Sequence, residues 1–148
     1  LDSGAYFINP LDSLISLQKE LDQDILIFHN PQIEINYTKR DTFILLDCDN
    51  AKYTKSKQIL GGINLWKKTD FTINFLNEWL KYGCDPRCIT DIGNTLGFDN
   101  YREFKEHRHD QSIFSLLCKK YNLISFPDPT QYGNKERKIL NDTKLKQI

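Results

Sequence analysis

The sequence contains no methionine, and its first residue is Leu1. A natural chain begins with methionine unless it is processed, and no signal-like basic and apolar regions open this one, so we expect a part of a longer protein. Apolar runs are short as well, and none reaches the roughly 18 residues that a membrane-spanning helix needs. These absences predict a cytoplasmic protein without a transmembrane segment, with peripheral attachment to a membrane as an alternative.

The sequence also lacks an excess of either charge. Lysine plus arginine total 20, aspartate plus glutamate total 20, and the formal net charge is zero. A balanced chain is not drawn as a whole to nucleic acid, because that attraction depends on neutralising many phosphates. We therefore predict no nucleic-acid partner, and any charged ligand must be held by a local cluster.

Cysteine is present in small number, at Cys48, Cys84, Cys88 and Cys118. Without a secretory signal, reduced thiols are expected. The spacing of Cys84 and Cys88 falls within the range of zinc sites, and His107 with His109 would complete a Cys2His2 set. The two histidines are closer together than in most zinc fingers, however, so free cysteines are the favoured interpretation.

Apolar patterning predicts an α/β fold in which a mixed sheet is flanked by helices, because strand-like and helix-like segments alternate. Strands are predicted at 5–8, 25–28, 33–35, 58–66 and 123–126, and helices at 12–21, 38–46, 69–83 and 110–121. Loops are expected at 47–57 and 84–97, and one helical turn at 101–104. Residues 1–128 are expected to form one folded portion. Residues 129–148 are polar and lysine-rich, which predicts a loosely held tail.

Two short segments have the composition of a ligand site. Asp2 precedes Ser3 and Gly4, and a carboxylate at a strand end can hold Mg²⁺ or Mn²⁺. A turn aspartate before glycine is the commoner occurrence of this pattern. Gly61 and Gly62 lie within an apolar strand pattern and would let a substrate approach bare backbone, with the Asn64 amide beside it. A bulge or close packing against a helix is the alternative.

A third candidate consists of six polar residues directly before an apolar helical pattern: His107, Arg108, His109, Asp110, Gln111 and Ser112. Asp110 is a suitable N-cap, and the free N–H groups of a helix N-terminus suit phosphate. Arg108 can pair with phosphate oxygens, and a histidine can bind phosphate, ligate a metal or transfer a proton. The alternative is an ordinary capped helix with a solvated charged turn.

A fourth cluster, residues 37–41, places Lys39 and Arg40 at a predicted helix start. Cations there oppose the helix dipole, so the pair is a candidate for a phosphate or a nucleotide. A solvated face is the favoured interpretation of this cluster.

Taken together, these segments resemble the second half of bacterial and viral glycosyltransferase-like proteins with the GT-A nucleotide-diphospho-sugar transferase fold. The resemblance covers residues 1 to about 128. It rests on four segments in order, Asp2-Ser3-Gly4, residues 58–63, Glu78-Trp79-Leu80 and residues 107–113. A more distant similarity is to glycosyltransferase family 8. The implied fold is the C-terminal part of a GT-A-like domain, which carries the sugar and acceptor side and is expected to be inactive alone.

The resemblance implies roles for individual residues. Asp2 matches the first acid of a metal motif for Mn²⁺ or Mg²⁺, and Gly4 stands in place of the second acid. The family's metal-binding histidine motif has no clear counterpart; His107 or His109 could substitute for it, with His109 as the candidate metal ligand. Gly61 and Gly62, with Asn64, would back the donor sugar. Asp110 and Gln111 would be catalytic, close to the transferred sugar, while Arg108 and His107 would bind the leaving diphosphate.

The implied activity is transfer of a sugar from a nucleotide-sugar donor to a hydroxyl of a glycan acceptor, in polysaccharide or glycan synthesis. The family 8 similarity favours retention of configuration. A non-catalytic carbohydrate- or partner-binding module that keeps the fold is the alternative, since Gly4 replaces the second acid. A zinc-stabilised interaction domain is a third class.

Overall fold

The computed structural model describes residues 1–130. In chain order the elements are α1 (Asp12–Glu20), β1 (Ile25–Ile33), α2 (Glu34–Tyr37), α3 (Arg40–Leu45), α4 (Ala51–Thr54), β2 (Lys57–Trp66), α5 (Asp70–Gly83), α6 (Pro86–Ile89), α7 (His109–Lys120) and β3 (Ser125–Pro127). Strands and helices are thus both present, which confirms the predicted mixed α/β class with helices flanking a sheet. Its assignment to the GT-A fold stays a prediction.

The three strands form one mixed sheet in the order β2-β1-β3. The central strand β1 is antiparallel to β2 and parallel to β3. Its apolar run, residues 25–28, is fully buried because helices cover both faces. Ile25 and Ile27 pack in the cluster that includes α5 and α7, whereas Leu26 and Phe28 pack against α1 on the other face.

The pairing of β1 with β2 is interrupted at the two glycines. Ile27 pairs with Asn64 and His29 pairs with Ile59, so the single residue Phe28 lies opposite residues 60–63. We call residues 60–63 the glycine bulge. A second irregularity in β1 lies between His29 and Ile33, and it accommodates Pro31, which has no N–H to donate to a strand ladder. The bulge anticipated as an alternative at the glycines is therefore present.

Helices α5 and α7 pack on the sheet through aromatic side chains. Thr69 and Thr72 form a capping box that begins α5, as the sequence predicts for Thr69. Phe75 of α5 and Phe114 of α7 lie 5.9 Å apart between ring centroids in an edge-to-face arrangement. Trp79 lies closer still to Phe114, at 4.8 Å. This aromatic cluster fixes α7 against the face of the sheet that carries Ile25 and Ile27.

Several predicted elements differ from the structure. Residues 5–8 form no strand, and Tyr6 is 82% exposed, because no described strand pairs with them. Strand β1 continues through 29–31 to Ile33, and α2 replaces the strand predicted at 33–35. The loops predicted at 47–57 and 84–97 contain α4 and α6. Residues 101–104 form a turn, in which Phe104 N donates to Tyr101 O.

At the helix predicted from Asp110, α7 begins one residue earlier, at His109, with no side-chain cap. In the part of the chain that the structure describes, no helix combines the length and the apolar character needed to cross a membrane. Of the predicted tail, residues 131–148 lie outside the residues that the structure describes.

Candidate functional site

Asp2 is held against the second glycine of the bulge. Its N–H donates to Gly62 O at 2.9 Å, and its own carbonyl accepts from Ala5 N in a turn. A Cβ atom at Gly62 would lie 2.4 Å from Asp2 Oδ2, so only glycine permits this approach without displacement. Asp2 is therefore both a turn residue and a carboxylate placed beside the bulge.

Gln111 reaches the first glycine of the same bulge. Gly61 N donates to Gln111 Oε1 at 3.2 Å, across 50 positions of sequence. A Cβ atom at Gly61 would stand 3.3 Å from Gln111 Cβ, which is tight packing. The structure thus brings together three predicted site segments, since Asp2 contacts Gly62 and Gln111 contacts Gly61.

Asn64 closes the bulge from within β2. Its Nδ2 donates to Gly61 O at 2.9 Å, and its Oδ1 accepts from Trp66 Nε1. Both ends of the amide therefore already have a partner in the protein. In this structure Asn64 holds the bulge in shape, and the predicted contact with a sugar hydroxyl stays a prediction.

A buried polar network lies behind Gln111, and sequence reasoning missed it. We call it the Glu34 network: the Glu34 carboxylate accepts from Thr38 Oγ1, Gln58 Nε2, Ser115 Oγ and Lys119 Nζ. Glu34 is fully buried, and its ion pair with Lys119 is 2.5 Å long. Burial lowers the pKa of Lys119, and the neighbouring Glu34 opposes that shift. A buried carboxylate is tolerated here because four donors satisfy it.

The sequence did contain signals for this network. Glu34 is a lone acid flanked by Ile33 and Ile35. Ser115 and Lys119 are spaced four residues apart, so they share a face of α7. Neither signal identifies the partner, because the residues of the network come from three separate elements, α2 with the residue after it, β2 and α7.

His107 is buried and uses both ring nitrogens. Its Nδ1 accepts from Lys39 N at 3.2 Å, and its Nε2 donates to Cys88 O at 2.6 Å. These partners fix the neutral tautomer with the proton on Nε2. Burial lowers the pKa of His107 to about 4, against a smaller raising effect of the Cys88 hydrogen bond. In this geometry His107 supplies no positive charge near neutral pH.

His109 and Arg108 are more exposed and are engaged with acids. His109 has φ of 46°, the left-handed region, and its Nε2 lies 3.0 Å from Asp91 Oδ2. That hydrogen bond lowers the pKa of Asp91. Arg108 pairs with Glu106 at 2.6 Å, and its guanidinium lies 5.3 Å from the Tyr37 ring centroid.

The two catalytic candidates differ in exposure. The Asp110 side chain is exposed, and its backbone carbonyl accepts from Trp79 Nε1 at 3.2 Å. Gln111 is half-buried against the bulge. An exposed carboxylate therefore precedes a constrained amide in the first turn of α7.

A cavity of about 450 Å³ adjoins the histidines, and its lining includes Lys39, Asp91, Asn100, Lys105, His107 and His109. Lys39 is 2% exposed, and its ammonium donates to the carbonyl oxygens of Ile92 at 2.6 Å and Thr90 at 3.4 Å. The favoured interpretation of residues 37–41 as a solvated face is therefore wrong.

The two residues that follow Lys39 also contact the loop at 90–101. The fully buried Asp41 carboxylate accepts from Thr95 N at 2.7 Å and Leu96 N at 3.3 Å. Arg40 lies over the Phe98 and Tyr101 rings. Residues 39–41 thus hold the 90–101 loop in place.

The predicted metal ligands have different neighbours, Gly62 for Asp2 and Asp91 for His109. Cys88 is buried while Cys84 is exposed, and burial raises the pKa of Cys88 to about 12. Within residues 1–130 no three His, Cys, Asp or Glu side chains form a group that could hold a metal ion. The use of Mn²⁺ or Mg²⁺ stays a prediction that rests on the resemblance.

Comparison with known proteins assigns the chain to no family. No protein-family model matches the chain, and no curated protein or solved structure matches it significantly.

Proposed function

We propose that this chain forms the sugar-binding side of a glycosyltransferase that moves a sugar from a nucleotide-sugar donor to a hydroxyl of a glycan acceptor. One observation carries the proposal: Asp2, the Gly61-Gly62 pair and Gln111 meet at the glycine bulge. They belong to three of the four segments on which the sequence resemblance rests. Their convergence supports a common site at which the backbone of the two glycines lies directly against a carboxylate and an amide.

The chemistry of the transfer fits the side chains around the bulge. Positive charge develops on the sugar ring as the bond to the diphosphate breaks, and carboxylate or amide oxygens can steady it. Asp110 and Gln111, in the first turn of α7, are the candidates for this role. The leaving diphosphate needs a cation, and Arg108 is the candidate, since the buried His107 is neutral.

A divalent cation would add further stabilisation of the diphosphate if one binds, as the resemblance implies. Asp2 is the residue placed to contribute a ligand, because its carboxylate lies at the bulge. The described residues do not assemble a complete ligand set around it. The proposed roles of Asp110, Gln111 and Arg108 do not pass through a metal.

A non-catalytic carbohydrate-binding module is the second candidate, and Gly4 favours it. A Cβ atom at Gly4 would meet no atom within 4 Å among the described residues, so space for an acidic side chain exists there. The second acid of the metal motif is therefore not excluded by packing. A module that binds sugars without transferring them would retain the bulge and dispense with that acid.

Nuclear magnetic resonance can test the proposal directly. A panel of uridine and guanosine diphosphate sugars is titrated into ¹⁵N-labelled protein while the amide signals of Gly61, Gly62 and the Gln111 side chain are followed. We expect shifts at these three positions with at least one donor. Absence of shifts at the bulge with every donor would overturn the proposal, whereas release of nucleoside diphosphate is not required, because the chain is expected to be inactive alone.

Matched variants make the test specific. Gln111→Met removes the amide at the bulge, and we expect at least a tenfold weaker donor affinity, about 1.4 kcal/mol. Gln23→Met is the control, because the Gln23 amide likewise accepts from a backbone N–H, that of Ile124, and also donates, but its partners are Ile25 and Ile124 and not the bulge. Shifts produced by free oligosaccharides, with no donor bound or hydrolysed, would instead identify the binding module.

A further inference from the structure

Gln58 is a fully buried amide that connects the Glu34 network to the glycine bulge. Its Nε2 lies 3.4 Å from Glu34 Oε2 and 3.5 Å from Ser112 Oγ. Its Oε1 accepts from Gln111 Nε2 at 2.9 Å. Gln58 itself makes no side-chain hydrogen bond to the bulge, so any influence it has there passes through Gln111.

The direction of each amide follows from the group before it. The Glu34 carboxylate, paired with Lys119, only accepts hydrogen bonds, so Gln58 must turn its amino end toward it. The carbonyl end of Gln58 then faces Gln111. Gln111 therefore donates to it through its own amino end. The carbonyl end of Gln111 then accepts from Gly61 N at 3.2 Å.

The opposite orientation of Gln111 would create two mismatches. Its amino group would face the N–H of Gly61, donor against donor, and its carbonyl oxygen would face Gln58 Oε1. Each mismatch leaves a polar group without a partner in a poorly solvated place, which is costly. A single orientation is therefore strongly preferred.

Gln111 Nε2 carries a second N–H, which has no hydrogen-bond acceptor among residues 1–130. We propose that Gln58 is a positioning residue that fixes the Gln111 amide so that this donor is offered to an oxygen of the ligand at the bulge. The ligand group facing Gln111 is then an acceptor, such as a hydroxyl or ring oxygen of a sugar. This consequence for the ligand rests on the proposed function, whereas the orientation of Gln111 does not.

The orientation is measurable without a ligand. In ¹⁵N-labelled wild-type protein we expect the Gln111 side-chain amide to show slowed exchange of one proton with water. We also expect nuclear Overhauser contacts from that proton to Gln58. In Gln58→Met, which keeps length but loses both amide functions, that proton should exchange at least about tenfold faster as local opening becomes easier.

Gln23→Met serves again as the control, because it removes an amide whose hydrogen-bond partners, Ile25 and Ile124, lie outside the bulge and the Glu34 network. It should leave the Gln111 signals unchanged. Equal changes in both variants, or no change in Gln58→Met, would overturn the positioning role. If Gln58→Met does not fold, the wild-type contacts decide, and strong contacts from the Gln111 amino protons to Gly61 N–H would contradict the stated orientation.

Donor binding then separates the two proposals. Gln58→Met should weaken nucleotide-sugar binding several-fold, by less than Gln111→Met, while Gln111→Glu, which cannot donate, should weaken it as much as Gln111→Met. If the Gln111 amide shows slowed proton exchange and contacts to Gln58 but no donor binds, the positioning role is retained and the proposed function is overturned. If the donor binds the wild type and Gln58→Met equally well, the proposed function is retained and the positioning role of Gln58 is overturned.

Discussion

The two halves of the 107–112 segment lie in different surroundings. His107 and His109 line the cavity beside the 90–101 loop, where His107 bonds to Lys39 N and Cys88 O. Gln111 and Ser112 instead face β2 and α2, where they bond to Gly61 and to Tyr37 O. Six adjacent residues that look like one polar site in sequence thus belong to two.

The separation has a geometric cause. His109 adopts the left-handed backbone region, which turns the chain sharply at the beginning of α7. From there the helix repeat sets side-chain direction, so Gln111 and Ser115, four positions apart, lie on the face that meets the sheet. His107 precedes the turn, so the helix repeat does not set the direction of its side chain. A run of polar residues therefore predicts a site only where the backbone keeps one direction.

The largest expected effect falls on the side of the sheet. Glu34→Gln leaves the ammonium of Lys119 buried without a charged partner, and we expect a loss of about 3–5 kcal/mol in the free energy of unfolding. Urea unfolding followed by circular dichroism measures it. The double variant Glu34→Gln/Lys119→Met removes both charges, so it should lose far less than the sum of the two single variants. Additive losses would show that the pair is not coupled.

On the cavity side, acid should destabilise the fold through His107. The unfolded side chain binds a proton below about pH 6.5 and the folded one only below about pH 4. The unfolded state therefore binds more protons between these values, and stability is complete above pH 6.5 and lost as the pH falls toward 4. The expected loss is about 3 kcal/mol by pH 4.

Chemical unfolding across pH 4 to 7 tests this expectation. His107→Gln should flatten the pH dependence in that window, whereas His109→Gln, at an exposed position, should retain it. An unchanged slope in His107→Gln would mean that other groups dominate.

The two glycines of the bulge should respond differently to alanine. At Gly61 the new Cβ would press on Gln111 Cβ at 3.3 Å, an atom fixed to the helix, so we expect a loss of about 1–3 kcal/mol. At Gly62 it would meet Asp2 Oδ2, the end of an exposed side chain that can swing away, and the loss should stay below about 1 kcal/mol. Thermal unfolding gives the order, and the reverse order would show that Asp2 is held more firmly than Gln111.

The smallest expected effect is on the exposed rim of the cavity. Asp91→Asn removes the charge opposite His109, but both side chains are solvated, so the unfolding midpoint should not change measurably. A clear shift would show that the rim of the cavity is as tightly organised as the Glu34 network. Wild-type protein measured beside it in low and high salt provides the control.

The sequence predicted elements well where a local pattern sufficed. A short window of sequence shows the helical spacing of apolar residues in α5 and Thr69 at its start, the apolar run in β1, and the strand at 57–66. The strand predicted at 5–8 was wrong because a strand needs a partner, which no local pattern supplies. Helices α4 and α6 were missed because each spans only one turn and shows no periodicity.

By itself, the sequence determined the α/β class, the two glycines, and the polar residues that precede α7. Only the tertiary structure decided how they are used: it divided the 107–112 segment at His109, buried Lys39 and His107, and joined Gln111 to Glu34 through Gln58. The physical reason is that hydrogen-bond direction and charge burial depend on partners far apart in sequence. A local pattern shows which residue types are present, whereas packing determines which of their atoms come into contact.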